Sequence, residues 1–373
     1  MSQSLRNSLY GGGDSHIYFD LSVQNNDNNG LSPPVPLIFE EIRNNPYLTN
    51  PDDYLMSVVR FNLETNISLP IWIPQIETGQ ANINKTVYTI TLQYQNFEFQ
   101  QALLFSPSDL SNPLPAPPLV RQDLSTGYYW GMSYTKIITM VNTAFASAVT
   151  GLNNLVALPT IVPPFLEFDP YSYQCILNAP QTAYADTLIT PIKIFFNSPM
   201  WNLFSSFNST YLGYINITNG KNYQLTTTVN NNIATVGGVN YLQLYQEYST
   251  IPLWTPVQSL VFVSSLLPCS SALVGIPKVI VSGQVIGSDN NANISSIITD
   301  LEVPLDKGFE YKPSVNYTPQ GEYRMISLSG NNPINAIQIQ CYWKDKLNIL
   351  RPIYLVGNAN IKLMFRKKQY NGL

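Results

Sequence analysis

The tightest constraint on this chain sits near its end. Ile337-Gln338-Ile339-Gln340-Cys341-Tyr342-Trp343-Lys344 alternates apolar and polar side chains without a break. Successive side chains of a β-strand leave opposite faces, so Ile337, Ile339, Cys341 and Trp343 share one face and Gln338, Gln340, Tyr342 and Lys344 the other. That is the pattern of a half-buried strand. Asp345-Lys346-Leu347-Asn348 supplies turn chemistry, and Ile349 to Val356 follows. Ile361, Leu363 and Phe365 then repeat the two-residue period with Lys362 and Arg366 outward. The spacing predicts an antiparallel unit whose last strand is buried in a sheet.

The same reading extends upstream. Short apolar runs bounded by Gly, Pro and Asn recur from His16 to Val23, through Tyr54 to Leu63, and on to Ile297 to Val303. Thr86 to Gln95 and Phe97 to Phe105 read as a hairpin through Gln95-Asn96, and Asn50-Pro51-Asp52-Asp53 as a turn. Ser106 to Pro118 carries five prolines and is expected to be a surface loop. One long helix stands out near 132–149, where Tyr134, Ile137, Ile138, Val141, Phe145 and Ala148 recur at three and four, and Gly151 is placed to end it. Lys136 is its single charge, so it is expected to be covered on most sides, across a sandwich end or at a subunit contact. Roughly twenty strands with one helix predict an all-β chain of jelly-roll β-sandwich architecture, as two jelly rolls or as one with a large insertion. The expected division is an N-terminal sandwich over 1–208, including the helix, and a C-terminal sandwich over 209–373.

Composition bears on the surface. Charged residues are 11% of the 373 against 45% hydrophobic, well below the usual quarter or so of charge. Asn, Gln, Ser, Thr and Tyr must therefore dress the exterior, a surface weakly protected from association. The net charge of −4 gives no global basic field for nucleic acid. Arg366-Lys367-Lys368 is the one basic cluster, read either as a solvated tail or as a weak contact with an acidic neighbour or with genome phosphate. No apolar run is long enough to span a membrane as a helix, and the start Met1-Ser2-Gln3-Ser4-Leu5-Arg6 has no secretory pattern.

Chemistry is hard to place. The only histidine is His16, within a strand, where a structural role is the default. Glu40-Glu41 and Asp52-Asp53 are adjacent pairs whose members point apart on extended backbone, as edge and turn residues do. No phosphate loop or metalloprotease motif occurs. Cys175, Cys269 and Cys341 have no metal-binding spacing and are expected to be free and buried. Tyr128-Tyr129-Trp130 reads as a hydrophobic staple ahead of the helix, with a sugar-stacking platform as the sharper alternative. No catalytic, cofactor or metal residue is assigned, and no enzyme activity is expected.

Several segments carry a resemblance: Ile298-Thr299-Asp300-Leu301-Glu302, Tyr317-Thr318-Pro319-Gln320-Gly321-Glu322-Tyr323-Arg324, Tyr342-Trp343-Lys344-Asp345 and Ile361 to Lys368, with Asn50 to Phe61 and Phe196 to Phe207 earlier. Together they resemble capsid proteins of polinton-like viruses, adintoviruses and virophages. The resemblance implies a structural capsid protein that self-assembles into the icosahedral shell of a DNA virus, as the vertex (penton) or minor protein, with a double-jelly-roll major capsid protein as the alternative. A glycan-binding spike or lectin-like module is the second alternative, suggested by the abundant Tyr and Trp. The implied partners are further copies of the chain, as a pentamer or pseudo-hexamer, and other capsid proteins. The implied location is the virion, after synthesis in host cytoplasm or nucleus.

Overall fold

The structure, a computed structural model, describes residues 16–25, 35–65, 68–122, 124, 126–213, 220–228, 232–269, 278–281, 284–286, 296–303, 314–318 and 324–368. In chain order the first strands are β1 (His16–Gln24), β2 (Val35–Pro36), β3 (Ile38–Ile42) and β4 (Tyr54–Glu64). Next come β5 (Lys85–Tyr94), β6 (Phe97–Leu104), helix α1 (Tyr134–Asn153), β7 (Phe165–Asp169), β8 (Gln174–Pro180), α2 (Gln181–Tyr184) and β9 (Lys193–Phe196). They are followed by α3 (Ser198–Leu203), β10 (Ser209–Tyr211), β11 (Tyr223–Leu225), β12 (Asn232–Val236), β13 (Val239–Tyr245) and α4 (Ile251–Trp254). The chain ends with β14 (Val257–Ser264), β15 (Lys278–Val281), β16 (Gln284–Ile286), β17 (Ser296–Glu302), β18 (Ser314–Tyr317), β19 (Ile326–Ser327), β20 (Ala336–Asp345), β21 (Ile349–Pro352), β22 (Tyr354–Leu355) and β23 (Asn358–Lys367).

These elements form two compact units, and the division differs from the expected cut between 208 and 209. Unit 1 takes the chain up to Leu69 and returns at Val257, while unit 2 is the intervening Pro70–Pro256. The physical reason is long-range pairing. β1 lies antiparallel to β23, with Leu21 opposite Ile361, and β23 lies against β4, with Ile361 opposite Phe61. The first strands are therefore completed by the last, and the architecture is the all-β jelly-roll kind with a large insertion in the chain path.

Unit 1 is a sandwich. One sheet has the order β1-β23-β4-β18, with β19 also on β4, and the other β16-β15-β21-β20-β14-β17, with β3 on β20. Phe61 of β4 meets Phe262 of β14 edge-on at 4.9 Å and Phe39 of β3 at 6.4 Å, so the inner faces interdigitate. β20 behaves as its sequence demands: Ile337, Ile339, Cys341 and Trp343 are buried and the residues between them half-buried. In β23 the alternation breaks at a register shift between Lys362 and Leu363, which is why Met364 is buried beside Leu363 and Phe365.

The β20–β21 turn is built on a buried carboxylate. Asp345 Oδ1 accepts from the backbone N–H groups of Leu347 at 2.8 Å and Ile349 at 2.9 Å, and Oδ2 accepts from Arg351 Nε at 3.1 Å. Asn348 takes φ 60°, a left-handed position that asparagine tolerates. The Arg351 guanidinium lies 5.7 Å from the centre of the Trp343 ring. Charge, turn and core tryptophan are thus one assembly, in which losing either ion would strand the other in apolar surroundings.

Unit 2 has sheets of order β10-β11-β9-β5-β6 and β12-β13-β8-β7. α1 packs on β5 and β6 of the first and on β7 of the second. Its buried stripe runs from Tyr134 through Ile137, Val141 and Phe145 to Leu152, and its N-terminus is capped by the Ser133 side chain, which accepts from Lys136 N–H. The helix outruns the expected 132–149. Gly151 does not end it. A side chain at 151 would meet the Phe99 ring at 2.3 Å, so glycine is there for close approach. Tyr128 and Tyr129 are buried, with Phe105 5.6 Å from Tyr129 and the Tyr129 hydroxyl donating to Ile83 C=O at 3.0 Å. The staple reading of that cluster agrees with its burial.

Candidate assembly surfaces

No group of three metal-ligating side chains is found among the described residues, and none of their helices is long and apolar enough to cross a membrane. His16 lies on β1, opposite Arg366, with its ring stacked 6.4 Å from that of Tyr18. Glu41 is paired with Arg43 at 2.7 Å, which raises the Arg43 pKa, and Arg43 in turn lies 4.9 Å from the Tyr47 ring. Cys175, Cys269 and Cys341 are free and buried. Burial pushes the Cys175 and Cys269 thiols up to about 12 and raises Cys341 as well. These groups belong to the core and to surface pairs.

What the surface of unit 2 offers is largely uncharged, with exposed apolar groups. The Ser106 to Pro118 loop exposes Leu110 and Leu114, and the chain just beyond it exposes Leu119, at 95%, and Val120. The loop is nonetheless tied down. Lys136 of α1 donates to Pro107 C=O, and Asp109 accepts from Ser111 N–H and from the Asn112 amide, each at 2.8 Å. Tyr171, at 94% exposed, stands on a turn gripped by Asp169, whose carboxyl is held below its ordinary pKa first by the Ser172 hydroxyl and then by Tyr171 N–H. The solvent side of α1 carries Thr135, Thr139, Thr143 and Thr150. Threonine hydroxyls at 139, 143 and 150 return to carbonyls one turn back, leaving a face without charge.

The basic cluster is only partly the solvated tail of one expectation. Arg366 and Lys367 are exposed and still belong to β23. Lys368 is tied back to the Asn50–Asp53 turn: its N–H donates to Asp53 C=O at 2.7 Å, and Nζ lies 3.5 Å from Asp52 Oδ1.

Sequence reasoning reached the proline-rich loop and the helix. It missed Ile161, Tyr171 and Ile189, exposed apolar residues in other turns of unit 2. No local pattern marks them, since Tyr171 follows Asp169 by two residues and Ile189 lies between Asp186 and Lys193.

The sequence and fold have counterparts in known proteins. Residues 17–367 match the family model described as Sputnik minor capsid protein V18/19. The chain belongs to that family. It is thus a minor capsid protein of the virophage type, and its place is in the virion. The uncharacterized protein V18 of Sputnik virophage is 34% identical over 139 residues, covering 35% of this chain and 81% of V18. Structural protein V19 of the same virophage is 28% identical over 179 residues, covering 44% and 76%. Among solved structures, a chain in the cryo-EM structure of the Sputnik virophage aligns with TM-score 0.78 and 28% identity over 96% of this chain and 99% of that one. The mavirus penton protein aligns with TM-score 0.62 over 95% of this chain and 100% of its own, and at 16% identity that likeness is one of fold.

Proposed function

We propose that the chain forms the vertex of an icosahedral virophage shell, as a ring of identical copies seated among other capsid subunits, with a purely structural role. Unit 2 supplies much of the uncharged contact surface through the 106–120 segment and its neighbouring turns. Arg366 and Lys367 give at most a weak contact to genome phosphate, since one short cluster releases few counterions. Synthesis takes place in host cytoplasm or nucleus, a reducing setting in keeping with three free thiols. The observation that carries this reading is the end-to-end alignment with the mavirus penton protein, which leaves none of that chain unmatched.

Sedimentation and electron microscopy of the purified chain test it. Rings are expected, and contacts that are mainly apolar and hydrogen-bonded should survive high salt, where exposed ion pairs are screened. A strict monomer at high concentration would overturn the proposal. Dissociation in moderate salt would shift the contacts to the Arg366 cluster.

A further inference from the structure

Every residue from Asn112 to Pro118 is a proline or stands directly before one, with Pro113, Pro115, Pro117 and Pro118 in the run. Proline holds φ at about −65°, and the residue before it is driven to extended backbone. The run is therefore a polyproline II helix, with about three residues to a turn. Its burial has that period. Asn112 and Pro115 are half-buried and Pro118 is buried, while the residues between them are exposed. One face is seated on unit 2, and two apolar ridges stand out. Pro113, Ala116 and Leu119 form one, and Leu114, Pro117 and Val120 the other. Among the described residues the backbone of 113–120 makes no hydrogen bond within the chain, which leaves its carbonyls open to a partner.

A row of aromatic rings lies elsewhere on the same unit. Trp201 of α3 and Tyr223 of β11 stack at 4.5 Å and 12°, and Tyr211 of β10 follows at 4.9 Å, tilted by 41°. Trp201 and Tyr223 are half-buried, and Tyr211 is 48% exposed. Ridge and row belong to opposite edges of the β10-β11-β9-β5-β6 sheet. The ridge segment leaves β6 and is fixed again at Arg121, whose C=O accepts from the N–H of Ile76, bridged in turn to Thr86 of β5. Tyr211 lies on β10, four strand spacings or about 19 Å from β6.

We propose that the 113–120 ridge of one copy docks on the Trp201, Tyr223 and Tyr211 row of the next copy around the ring. The proposal rests on the assembly reading above and names the surfaces it uses. Polyproline II segments are recognised by aromatic-lined surfaces. Proline and leucine pack on the rings, and a Tyr hydroxyl or Trp N–H donates to the open carbonyls. The dimensions agree. Rings spaced at 4.5 Å and 4.9 Å span about 9 Å, close to one turn of the ridge at about 3.1 Å per residue. The prolines have already fixed the ridge, so little conformational entropy is lost on docking. Neither surface brings a charge, since 110–120 and 194–220 contain none. The two are different patches, too far apart to meet within one copy, so their contact is heterologous. Head-to-tail contacts of that kind close into a ring when the rotation per copy allows it. The same contact repeats between every pair of neighbours and needs no two-fold axis.

The test is charge rescue in the full chain, read by sedimentation. Leu119→Asp and Tyr211→Lys should each weaken assembly with the melting temperature unchanged, because both sites are exposed. Leu119→Asp combined with Tyr211→Lys should regain assembly at low salt, where the new ion pair spans the contact, and lose it again at high salt. Leu119→Asp combined with Tyr171→Lys, an exposed site on another turn, should stay dissociated. A Tyr211→Lys chain that assembles as well as the parent overturns this docking and leaves the assembly reading in place, with the ridge serving a different subunit. A Leu119→Asp, Tyr211→Lys chain that stays dissociated at low salt overturns it as well, and so does equal rescue by Tyr171→Lys. A parent chain that is a strict monomer overturns the assembly reading itself.

Discussion

The two units divide the chain almost equally and spend their residues differently. Residues 70–256 carry only 13 of the 42 charged residues. Leu110, Leu114, Leu119, Ile161, Tyr171 and Ile189, between 71% and 101% exposed, all lie there, while the most exposed large apolar groups described in unit 1 are Ile42 and Leu347 at 67%. Unit 1 dresses its outer sheet face with ion pairs, such as Asp20 with Arg60 at 2.9 Å and with Lys362 at 3.5 Å. Exposed pairs of that kind add only about 0–1 kcal/mol each, so their value is in keeping the face wet. The contrast teaches that low charge is not a uniform property of this protein. It is concentrated in the inserted unit, where exposed leucine and tyrosine suit a surface destined to be covered.

The largest expected effect tests the core of unit 1. Trp343→Ala should cost about 3–5 kcal/mol, because the ring is fully buried and carries Arg351 on its face. In calorimetry the loss should fall on the transition of unit 1. An equal shift of all melting would show that the two units unfold as one.

A smaller effect comes from the thiols, two of them in unit 1 and one in unit 2. Their folded pKa values lie above the ordinary 9.0. The folded state therefore holds its protons longer than the unfolded one. Stability is full below about pH 8.5 and falls as pH rises, by up to about 1.4 kcal/mol per unit for each thiol. Alkylation at pH 8 should be negligible in the native protein and complete in denaturant. Fast native labelling of Cys175 would mean that unit 2 opens more readily than unit 1.

The smallest effect on stability should accompany a large one on association. Leu119→Asp, at a nearly fully exposed position, should move folding by no more than about 0.5 kcal/mol and reduce assembly by sedimentation. The same substitution at Leu347, in a turn of unit 1, should leave assembly intact. Equal effects at both sites would remove the distinction between the units.

How much could be read beforehand follows from the range of each interaction. The alternation of β20 was plain because one face is buried and the other half-wet, and the turn at Asp345 is local chemistry. β14 is buried on both faces and so has no alternation to read. The pairing of β1 with β23 joins residues at opposite ends of the sequence, and no local pattern announces it, so a linear cut at 208 was the natural reading. Gly151 reads as a helix stop because glycine after a periodic run usually is one. Only the Phe99 ring, from a strand far upstream, reveals its role. The proline-rich loop was legible as surface because composition alone determines that.

The interrupted path of unit 1 also sets a timetable for synthesis. β4 leaves the ribosome about 300 residues before β23, which at about 5–20 residues per second is a wait of roughly 15–60 s. During that interval Met56, Phe61 and Leu63 have no sheet partner from β23, while unit 2, contiguous in the chain, can finish folding. The inserted unit is thus a folded spacer that emerges between the two halves of an unfinished sandwich. A nascent chain that stalls before β23 would hold a complete unit 2 beside an uncovered apolar strand, which marks it for chaperone capture rather than for a shell.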